Sequence, residues 1–184
     1  MSPYTFKVCN QVQDQEEIVD FLFDIREELY LPDRQVCQEI VDLCFAHGGV
    51  IAGYDGSHLV AMLGYFYGES QCDYVNRETV FMYVAGIQEP YRLTRVFYKG
   101  LVFSLQQFQK AGAKAIKLQA EAANPYNNKL YGRFAQPIGR GKTLRGKDVI
   151  TYSGSIEDAL CYLQRGKRQR VLPQSADEVL TASG

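Results

Sequence analysis

The most informative stretch of the chain is Ala123-Asn124-Pro125-Tyr126-Asn127-Asn128-Lys129-Leu130-Tyr131-Gly132-Arg133-Phe134. It follows the apolar run 115–118, whose composition is typical of a strand. Asn124 is a good helix N-cap because its side chain can accept a hydrogen bond from the first turn. The pair Leu130-Tyr131 would lie at the far end of a short helix. The stretch therefore predicts a strand, an asparagine at its end, and a helix over 126–134.

Further strands and helices are predicted on both sides of this stretch. Asp55-Gly56 between two apolar runs is a strong hairpin signal. The predicted elements follow the order β-α-α-β-β-β-α-β-α-β, with a further helix at the end. This order corresponds to a hairpin-rich sheet followed by a β-α-β unit, which predicts an α/β or α+β fold. The strands are predicted over 4–8, 50–54, 58–67, 78–87, 114–120 and 149–152, and the helices over 14–29, 33–45, 92–110, 126–134 and 156–163.

Helix ends and domain limits follow from local signals. Asp14 is predicted to cap the first helix and Asp33 the second, because a carboxylate at that position accepts hydrogen bonds from the first turn. A chain of 184 residues suits one domain with one core. We expect one folded domain over 1–164 and a polar tail over 165–184.

Composition indicates an ordinary globular protein rather than a nucleic-acid or membrane binder. Apolar residues make up 46% of the chain, charged residues make up 22%, and the formal net charge is −1. The N-terminus has no basic and apolar tract, the five cysteines contain no Cys-x-x-Cys pair, and neither histidine has a partner at metal-ligand spacing. We expect a cytoplasmic protein with reduced cysteines and without a metal site, a membrane span or a nucleic-acid partner.

The segment 124–134 resembles the second half of the acyl-CoA site in the GCN5-related N-acetyltransferase (GNAT) superfamily. The resemblance implies a GNAT-like, mixed but mostly antiparallel sheet flanked by helices, over about residues 4–153. Together with the element order and Asn124 at the end of the fifth strand, it implies that strand 114–120 diverges from strand 78–87 and leaves a V-shaped slot open to ligand. It also implies acetyl-CoA, or another acyl-CoA, as cosubstrate, and direct attack of an amine on the thioester. Tyr131 would then protonate the departing thiolate. The positions that match the family pattern are Asn124, Asn127, Leu130, Tyr131 and Phe134.

A second segment, 87–97, resembles the pyrophosphate-binding motif of the family but departs from it. Tyr91 and Arg92 fit, whereas Leu93, Arg95 and Phe97 replace glycines that let backbone N–H groups approach a pyrophosphate. Arg95 could instead add positive charge beside the phosphates. The alternative is an ordinary strand-to-helix turn with a basic cap. The resemblance assigns cofactor binding to Val84, Ala85, Gly86, Arg92, Thr94, Arg95, Val96, Phe97, Asn124 and Asn127.

A general base must remove a proton from the attacking amine, and two residues of the predicted fourth strand are candidates. These are Glu78 and Tyr83, and each is otherwise a plain strand residue. Tyr131 also has an alternative role, as a half-buried packing residue with a solvated hydroxyl. Asn124 and Asn127 likewise have the alternative of only capping a helix.

Two basic segments remain. The run 139–143, Gly-Arg-Gly-Lys-Thr, is not a phosphate loop, because Gln136 stands where that motif needs glycine. With Arg145 and Lys147 it predicts a solvated hairpin tip, which could attract an acidic substrate or the adenosine 3′-phosphate. The run 165–170 is basic and is predicted to be part of a soluble tail.

The acceptor is not specified by the sequence beyond its chemical class. We expect a small-molecule or peptide amine, and the acidic region 14–45 would suit a cationic one. A homodimer is possible. The alternative function is a non-catalytic GNAT-like module that binds a protein partner or another acyl carrier, which the missing glycines and the lack of an obvious base favour.

Overall fold

Seven strands and five helices make up this computed structural model, which describes residues 4–69, 73–143 and 146–168. The elements are β1 Tyr4–Cys9, α1 Val12–Asp24, α2 Arg34–His47, β2 Gly48–Asp55, β3 His58–Tyr67, β4 Thr79–Ile87, α3 Val96–Lys110, β5 Ala115–Glu121, α4 Pro125–Tyr131, β6 Gln136–Lys142, β7 Asp148–Ser155 and α5 Ile156–Arg168. The strands form one sheet in the order β1-β2-β3-β4-β5-β7-β6, and only β4 and β5 pair in parallel. The predicted mixed, mostly antiparallel sheet flanked by helices is confirmed.

Helices α1 and α2 cover one face of strands β1–β4. Each helix has an apolar stripe at helical spacing, which is the pattern of a helix that packs on a sheet. Ile18 and Leu22 of α1 and Val41 of α2 are completely buried against Val50 and Met62 of the sheet. This layer places the end of α1 beside the later part of β4.

Helices α3 and α5 cover the opposite face and enclose the larger part of the core. Leu105 and Phe108 of α3 and Ile156 of α5 pack with Val80 and Ile116 of the central strands. Burial of each such side chain contributes about 1.5–3 kcal/mol to folding. The start of α5 lies beside the end of α3 and the start of β5, so α5 runs antiparallel to α3.

Several predicted boundaries need correction. Asp33 caps α2, since its carboxylate accepts from the Val36 N–H at 3.0 Å. Asp14 is not a cap: α1 begins at Val12, and the buried Asp14 carboxylate binds the Lys7 ammonium of β1 instead. The third helix begins at Val96 rather than at residue 92, after a single 3₁₀ turn over 89–91.

The C-terminal third also differs from the prediction. Residues 136–142 form the edge strand β6, so residues 139–142 of the predicted hairpin tip lie in a strand. Thr143 and Lys147 lie between β6 and its antiparallel partner β7, and Arg145 lies outside the described residues. Helix α5 continues to Arg168, which is beyond the expected domain limit at residue 164. The rest of the predicted tail lies outside the described residues.

Three further features bear on function. Within the described ranges, no helix combines the length and apolar composition that crossing a membrane requires. No group of three or more His, Cys, Asp or Glu side chains in those ranges is arranged to hold a metal ion. Four cysteines are free, namely Cys9, Cys37, Cys44 and Cys161, and Cys72 lies outside the described residues.

Candidate active site

The two parallel strands at the centre of the sheet separate halfway along their length. Thr79–Met82 of β4 pairs with Ala115–Leu118 of β5, and no later residue of β4 pairs with β5. Strand β5 continues its pairing with β7 as far as Glu121. The result is a V-shaped slot between residues 83–87 of β4 and 119–121 of β5, as the element order predicts.

A β-bulge lies where the slot begins. Gly64 pairs with Val84 and Tyr65 pairs with Met82, so Tyr83 is an extra residue without a partner in β3. A bulge bends a strand and increases its twist, which turns the remainder of β4 away from β5. The sequence pattern did not reveal this bulge.

Val84, Ala85 and Gly86 form one wall of the slot. One edge of this segment pairs with β3, and the edge that faces β5 has no strand beside it among the described residues. Gly86 also packs closely on α1, because a Cβ atom at this position would overlap the Ile25 side chain. An extended ligand in the slot could therefore pair with the free backbone edge of β4, which is the geometry of an added strand.

The first turn of α3 lies just after the slot. The Thr94 hydroxyl donates to the Tyr91 carbonyl at 2.7 Å and accepts from the Val96 N–H at 3.2 Å. The N–H groups of Phe97 and Tyr98 belong to the first turn and have no acceptor within the helix. Such groups, together with the helix dipole, favour an anion at this position.

The loop before α3 carries the side chains that replace the expected glycines. Leu93 is fully exposed and Arg95 is exposed, so neither side chain is packed into the space in front of α3. Arg92 is directed elsewhere: its guanidinium pairs with Glu28 and its Nε donates to the Ile87 carbonyl at 3.3 Å. Arg92 therefore links the loop to the segment after α1.

Asparagines hold the start of α4 on the end of β5. Asn124 is the N-cap, and its Oδ1 accepts from the Asn127 N–H at 3.0 Å. The Asn128 amide donates to the carbonyls of Glu121 (2.8 Å) and Asn124 (2.7 Å) and accepts from the Tyr152 hydroxyl at 2.7 Å. Asn128 was missed in the sequence, because its role depends on β7, which is distant along the chain.

Tyr131 ends α4 and turns its ring toward the core. The ring packs edge-to-face on Phe134 and Tyr152, with centroids 6.1 and 5.9 Å apart. The hydroxyl makes no hydrogen bond with any described residue. Burial raises the pKa of the Tyr131 phenol above its usual value, so the group keeps its proton at neutral pH. A half-buried phenol with a free hydroxyl can donate a proton to a neighbouring group.

One candidate base precedes β4 and the other lies in the middle of that strand. Tyr83 is at the point where the slot begins, partly exposed, against Phe66 and Phe81. Glu78 precedes the paired half of β4 and forms an exposed ion pair with Lys114 at 2.6 Å. About four residues of strand, or about 13 Å, separate Glu78 from Met82, where the slot begins. The structure therefore brings Tyr83, and not Glu78, to the slot.

Tyr30 and Lys147 form a boundary on the side of the slot that faces α1 and α2. Tyr30, between α1 and α2, lies under the Lys147 ammonium, which is 4.5 Å from the ring centroid. Lys147 precedes β7, whose Val149 pairs with Glu121 at the end of β5. The segment after α1 and the turn before β7 therefore meet at the open end of the sheet.

No protein-family model matches this sequence, and no curated protein matches it. The backbone, however, matches solved structures over most of its length. A protein from Desulfovibrio desulfuricans described as an acetyltransferase of the GNAT family aligns with a TM-score of 0.64 and 14% identity, covering 83% of this chain and 99% of that one. The chain has the GNAT fold. Two further structures with this fold are similar to a comparable degree.

The first is the ribosomal-protein-S18-alanine N-acetyltransferase from Escherichia coli, with a TM-score of 0.62, 12% identity, and coverage of 83% of this chain and 94% of that one. The second is a protein from Salmonella typhimurium, yncA, solved with acetyl-CoA, with a TM-score of 0.61, 12% identity, and coverage of 84% and 95%. These matches establish the GNAT fold of this chain, and that fold is the one in which the Salmonella protein holds acetyl-CoA.

Within the GNAT fold the predicted site residues other than Glu78 fall at one end of the sheet. Strands β4 and β5 are parallel, so their carboxyl ends lie together, and α3 and α4 start from those ends. The wall 84–86, the loop 92–97 and the segment 124–131 therefore surround one slot. The residues fit an acyl-CoA chemically, because a free strand edge suits an amide-containing arm and a free helix start suits a pyrophosphate.

Proposed function

We propose that this protein is an acyl-CoA-dependent N-acyltransferase that transfers an acetyl group to an amine. The observation that carries the proposal is the slot that opens after Met82 and Leu118, where the edge of β4 that faces β5 has no strand partner among the described residues. Buried or half-buried backbone groups in folded proteins almost always have hydrogen-bond partners. An extended ligand with amide groups supplies those partners.

Different residues along the slot would bind different parts of the cosubstrate. Val84, Ala85 and Gly86 would align the extended arm of the cosubstrate, and the N–H groups of Phe97 and Tyr98 would face its pyrophosphate. Arg95, exposed at this turn, would add positive charge. Asn124 caps α4, and this helix would hold Asn127 and Tyr131 beside the arm.

Acetyl-CoA supplies a thioester whose C–S bond breaks as the amine nitrogen forms an amide bond. Tyr131 would hold the proton that the sulfur receives, because its phenol stays protonated at neutral pH. Tyr83 lies where the slot begins, and burial raises the pKa of its phenol. Tyr83 would therefore stay protonated and position a water molecule that takes the amine proton, and it would not act as an anionic base itself.

The acceptor proposed for this chain is a small-molecule or peptide amine. The Escherichia coli enzyme with the same fold acts on an alanine of a ribosomal protein, which is a precedent for a peptide amine. The acceptor would approach from the side of the slot that faces α1 and α2, beside Tyr30 and Tyr83. The cytoplasmic location stays a prediction from the sequence.

A second candidate, a non-catalytic binding module, is favoured by one contact. Arg92 is paired with Glu28 and with the Ile87 carbonyl, so this arginine is occupied within the protein rather than directed to a phosphate. In a module of this kind, the slot would hold another acyl carrier or a peptide.

Calorimetric titration with acetyl-CoA tests the proposal. We expect binding, and a gain of about 2.7 kcal/mol in unfolding free energy at about 100 times the dissociation constant. Release of thiol with a panel of amines then separates the enzyme from the binding module. Binding without turnover on any amine would favour the module. Absence of binding to acetyl-CoA and longer acyl-CoAs would exclude the enzyme and favour the binding module.

A further inference from the structure

Five aromatic side chains form a continuous cluster beside the point where the slot begins. The ring of Phe66 in β3 stacks on Phe81 of β4, with centroids 5.3 Å apart and ring planes 7° apart. Tyr83 packs on both rings, with centroids 5.3 Å and 6.3 Å away. Tyr74 meets Phe66 edge-to-face at 5.3 Å, and the His47 ring stacks on Tyr74 at 3.6 Å. We call these five residues the aromatic cluster.

The aromatic cluster lies on the face of the sheet that carries α1 and α2. Met82 packs with the core on the α3 side, and neighbouring strand residues point to opposite faces, so Phe81 points to the α2 side. His47 is the last residue of α2, so the cluster extends from the end of this helix to the start of the slot. Phe66 is buried, whereas Phe81 is partly exposed and Tyr83 is 39% exposed. The cluster therefore presents ring surface to solvent beside the slot.

The backbone that positions Tyr74 is strained. Asp73 and Tyr74 have φ angles of 51° and 55°, in the left-handed region that residues other than glycine rarely adopt. Each such residue costs conformational energy, and two occur here in succession. Strain of this kind is concentrated at binding and catalytic sites, where it holds a side chain in a particular place. The strain therefore supports a role for the aromatic cluster beyond packing.

Polar side chains of β5 and β7 lie next to the aromatic cluster. Lys117 pairs with Phe81 in the register between β5 and β4, and it lies on the face opposite the buried Ile116. Its ammonium forms a partly buried ion pair with Glu69. The positive charge of Lys117 is therefore compensated, so it does not repel a cationic amine that approaches along this face.

We propose that the acceptor is a primary amine that carries an aromatic ring on a short linker, and that the aromatic cluster binds this ring. This inference rests on the proposed function, because the amine must react with a thioester in the slot. Phe81 lies two residues before Tyr83, so a ring on Phe81 is about 6–7 Å from the start of the slot. A linker of about two or three carbon atoms spans this distance, since each C–C bond is about 1.5 Å long.

The aromatic cluster could instead serve only to pack β3 and β4 together, so binding must be separated from stability. Thiol release is measured with 2-phenylethylamine, 2-cyclohexylethylamine and n-butylamine at saturating acetyl-CoA. The first two amines have the same linker and differ in the aromaticity of the ring, and n-butylamine has no ring. Acetyl-CoA affinity by calorimetry and the melting temperature are measured for each variant. A purely structural role lowers the melting temperature but leaves the ratios of kcat/KM unchanged.

We expect kcat/KM for 2-phenylethylamine to exceed that for n-butylamine about tenfold or more, because the ring is removed from water. It should exceed that for 2-cyclohexylethylamine about threefold or more, because aromatic rings prefer to pack on one another. Phe81→Leu should bring both ratios close to one with little change in acetyl-CoA affinity, whereas Phe81→Tyr keeps the ring and should retain them.

Phe103→Leu is the matched control. Phe103 is also partly exposed and stacks on another phenylalanine, Phe6, with centroids 5.6 Å apart, but it belongs to α3 on the opposite face of the sheet. Both ratios should therefore be unchanged in this variant.

Several results would overturn the inference. Equal kcat/KM values for the two ring amines in the unaltered protein, or turnover of neither although acetyl-CoA binds, exclude an aromatic acceptor and leave cosubstrate binding intact. The wider panel of amines then decides the proposed function separately. Ratios that survive in Phe81→Leu, or that fall equally in Phe103→Leu, place the ring elsewhere. Absence of acetyl-CoA binding overturns the inference and the proposed enzyme together.

Discussion

The paired half and the open half of the β4–β5 pair are built from consecutive residues of the same strands, yet they have opposite properties. In the paired half, Val80 and Ile116 are completely buried and every strand edge is satisfied. In the open half, after the bulge at Tyr83, one edge of β4 has no strand beside it. The first half holds the fold together, and the second leaves backbone groups available for a ligand.

This difference shows that stability and binding are separated along a single strand. A single extra residue is enough to separate them, because a bulge changes the direction of the strand without removing its pairing to β3. Variants in the two halves should therefore affect different measurements. Four variants, in order of decreasing effect, test this separation.

The largest effect is expected for Tyr131→Phe, at the open half. The ring contacts with Phe134 and Tyr152 remain, and only the hydroxyl is lost. We expect turnover to fall by about 10²- to 10⁴-fold on an amine found by screening, as for loss of a general acid. Acetyl-CoA affinity and melting temperature should change little. Because burial raises the pKa of Tyr131, no loss of activity through its ionisation is expected between pH 7 and 9.

The matched control for that experiment is Tyr126→Phe, since Tyr126 is mostly exposed on the same helix. Its turnover should equal that of the unaltered protein. If Tyr131→Phe also retains full turnover, Tyr131 is a packing residue, and the open half loses its proposed chemical role.

The next effect is expected in the paired half, for Ile116→Ala. Ile116 is fully buried between α3 and the sheet, so truncation leaves a cavity. We expect a loss of about 2–5 kcal/mol in unfolding free energy, measured by urea denaturation. The folded fraction of Ile116→Ala should bind acetyl-CoA with unchanged affinity. Ile138→Ala on the exposed edge strand is the control and should change stability by less than about 0.5 kcal/mol.

A smaller effect is expected for Asn128→Ala, which lies at the junction of the two halves. The change removes the hydrogen bonds to Glu121, Asn124 and Tyr152 and leaves two carbonyls to find other partners. We expect a loss of about 1–3 kcal/mol in unfolding free energy. Equal stability of Asn128→Ala and the unaltered protein would contradict this account.

Asn127→Ala is the matched control for Asn128. The Asn127 side chain makes no hydrogen bond with the described residues, although its N–H donates to Asn124. The proposed function assigns Asn127 to the cosubstrate, so its truncation should weaken acetyl-CoA binding with little effect on stability. The two asparagines thus separate binding from folding within one turn of helix.

The smallest effect is expected for Glu78→Gln, at the far end of the paired half. The Glu78–Lys114 ion pair is exposed on both sides, so its loss should cost less than about 1 kcal/mol. Turnover should not change, because Glu78 is distant from the slot. A fall in turnover of tenfold or more, with unchanged acetyl-CoA affinity, would restore Glu78 as a candidate base.

The sequence predicted the fold because local signals agreed with one another. The Asp55-Gly56 turn, the Asp33 cap and the Asn124 cap are each specified by residues within a few positions, and each is present. The slot was predicted from the order of the elements. These features depend on short-range chemistry or on topology, which a single sequence carries.

Features that depend on distant partners were not predictable in the same way. Asp14 has the composition of a cap, but Lys7 of the neighbouring strand binds its carboxylate. Strand β6 is rich in glycine and basic residues and is fully exposed, so only its pairing with β7 makes it a strand. The bulge at Tyr83 likewise depends on its register with β3.

The four paired positions between β4 and β5 also determine how the molecule can deform. Strands β1–β4 and strands β5–β7 form two half-sheets that are joined along the sheet only through these positions. The free part of β4 covers residues 83–87, a length of about 16 Å at about 3.3 Å per residue. A rotation of about 5° between the half-sheets would therefore change the width of the mouth by about 1.4 Å. If the proposed function holds, the angle between the two half-sheets would help to set the size of acyl group that the mouth admits.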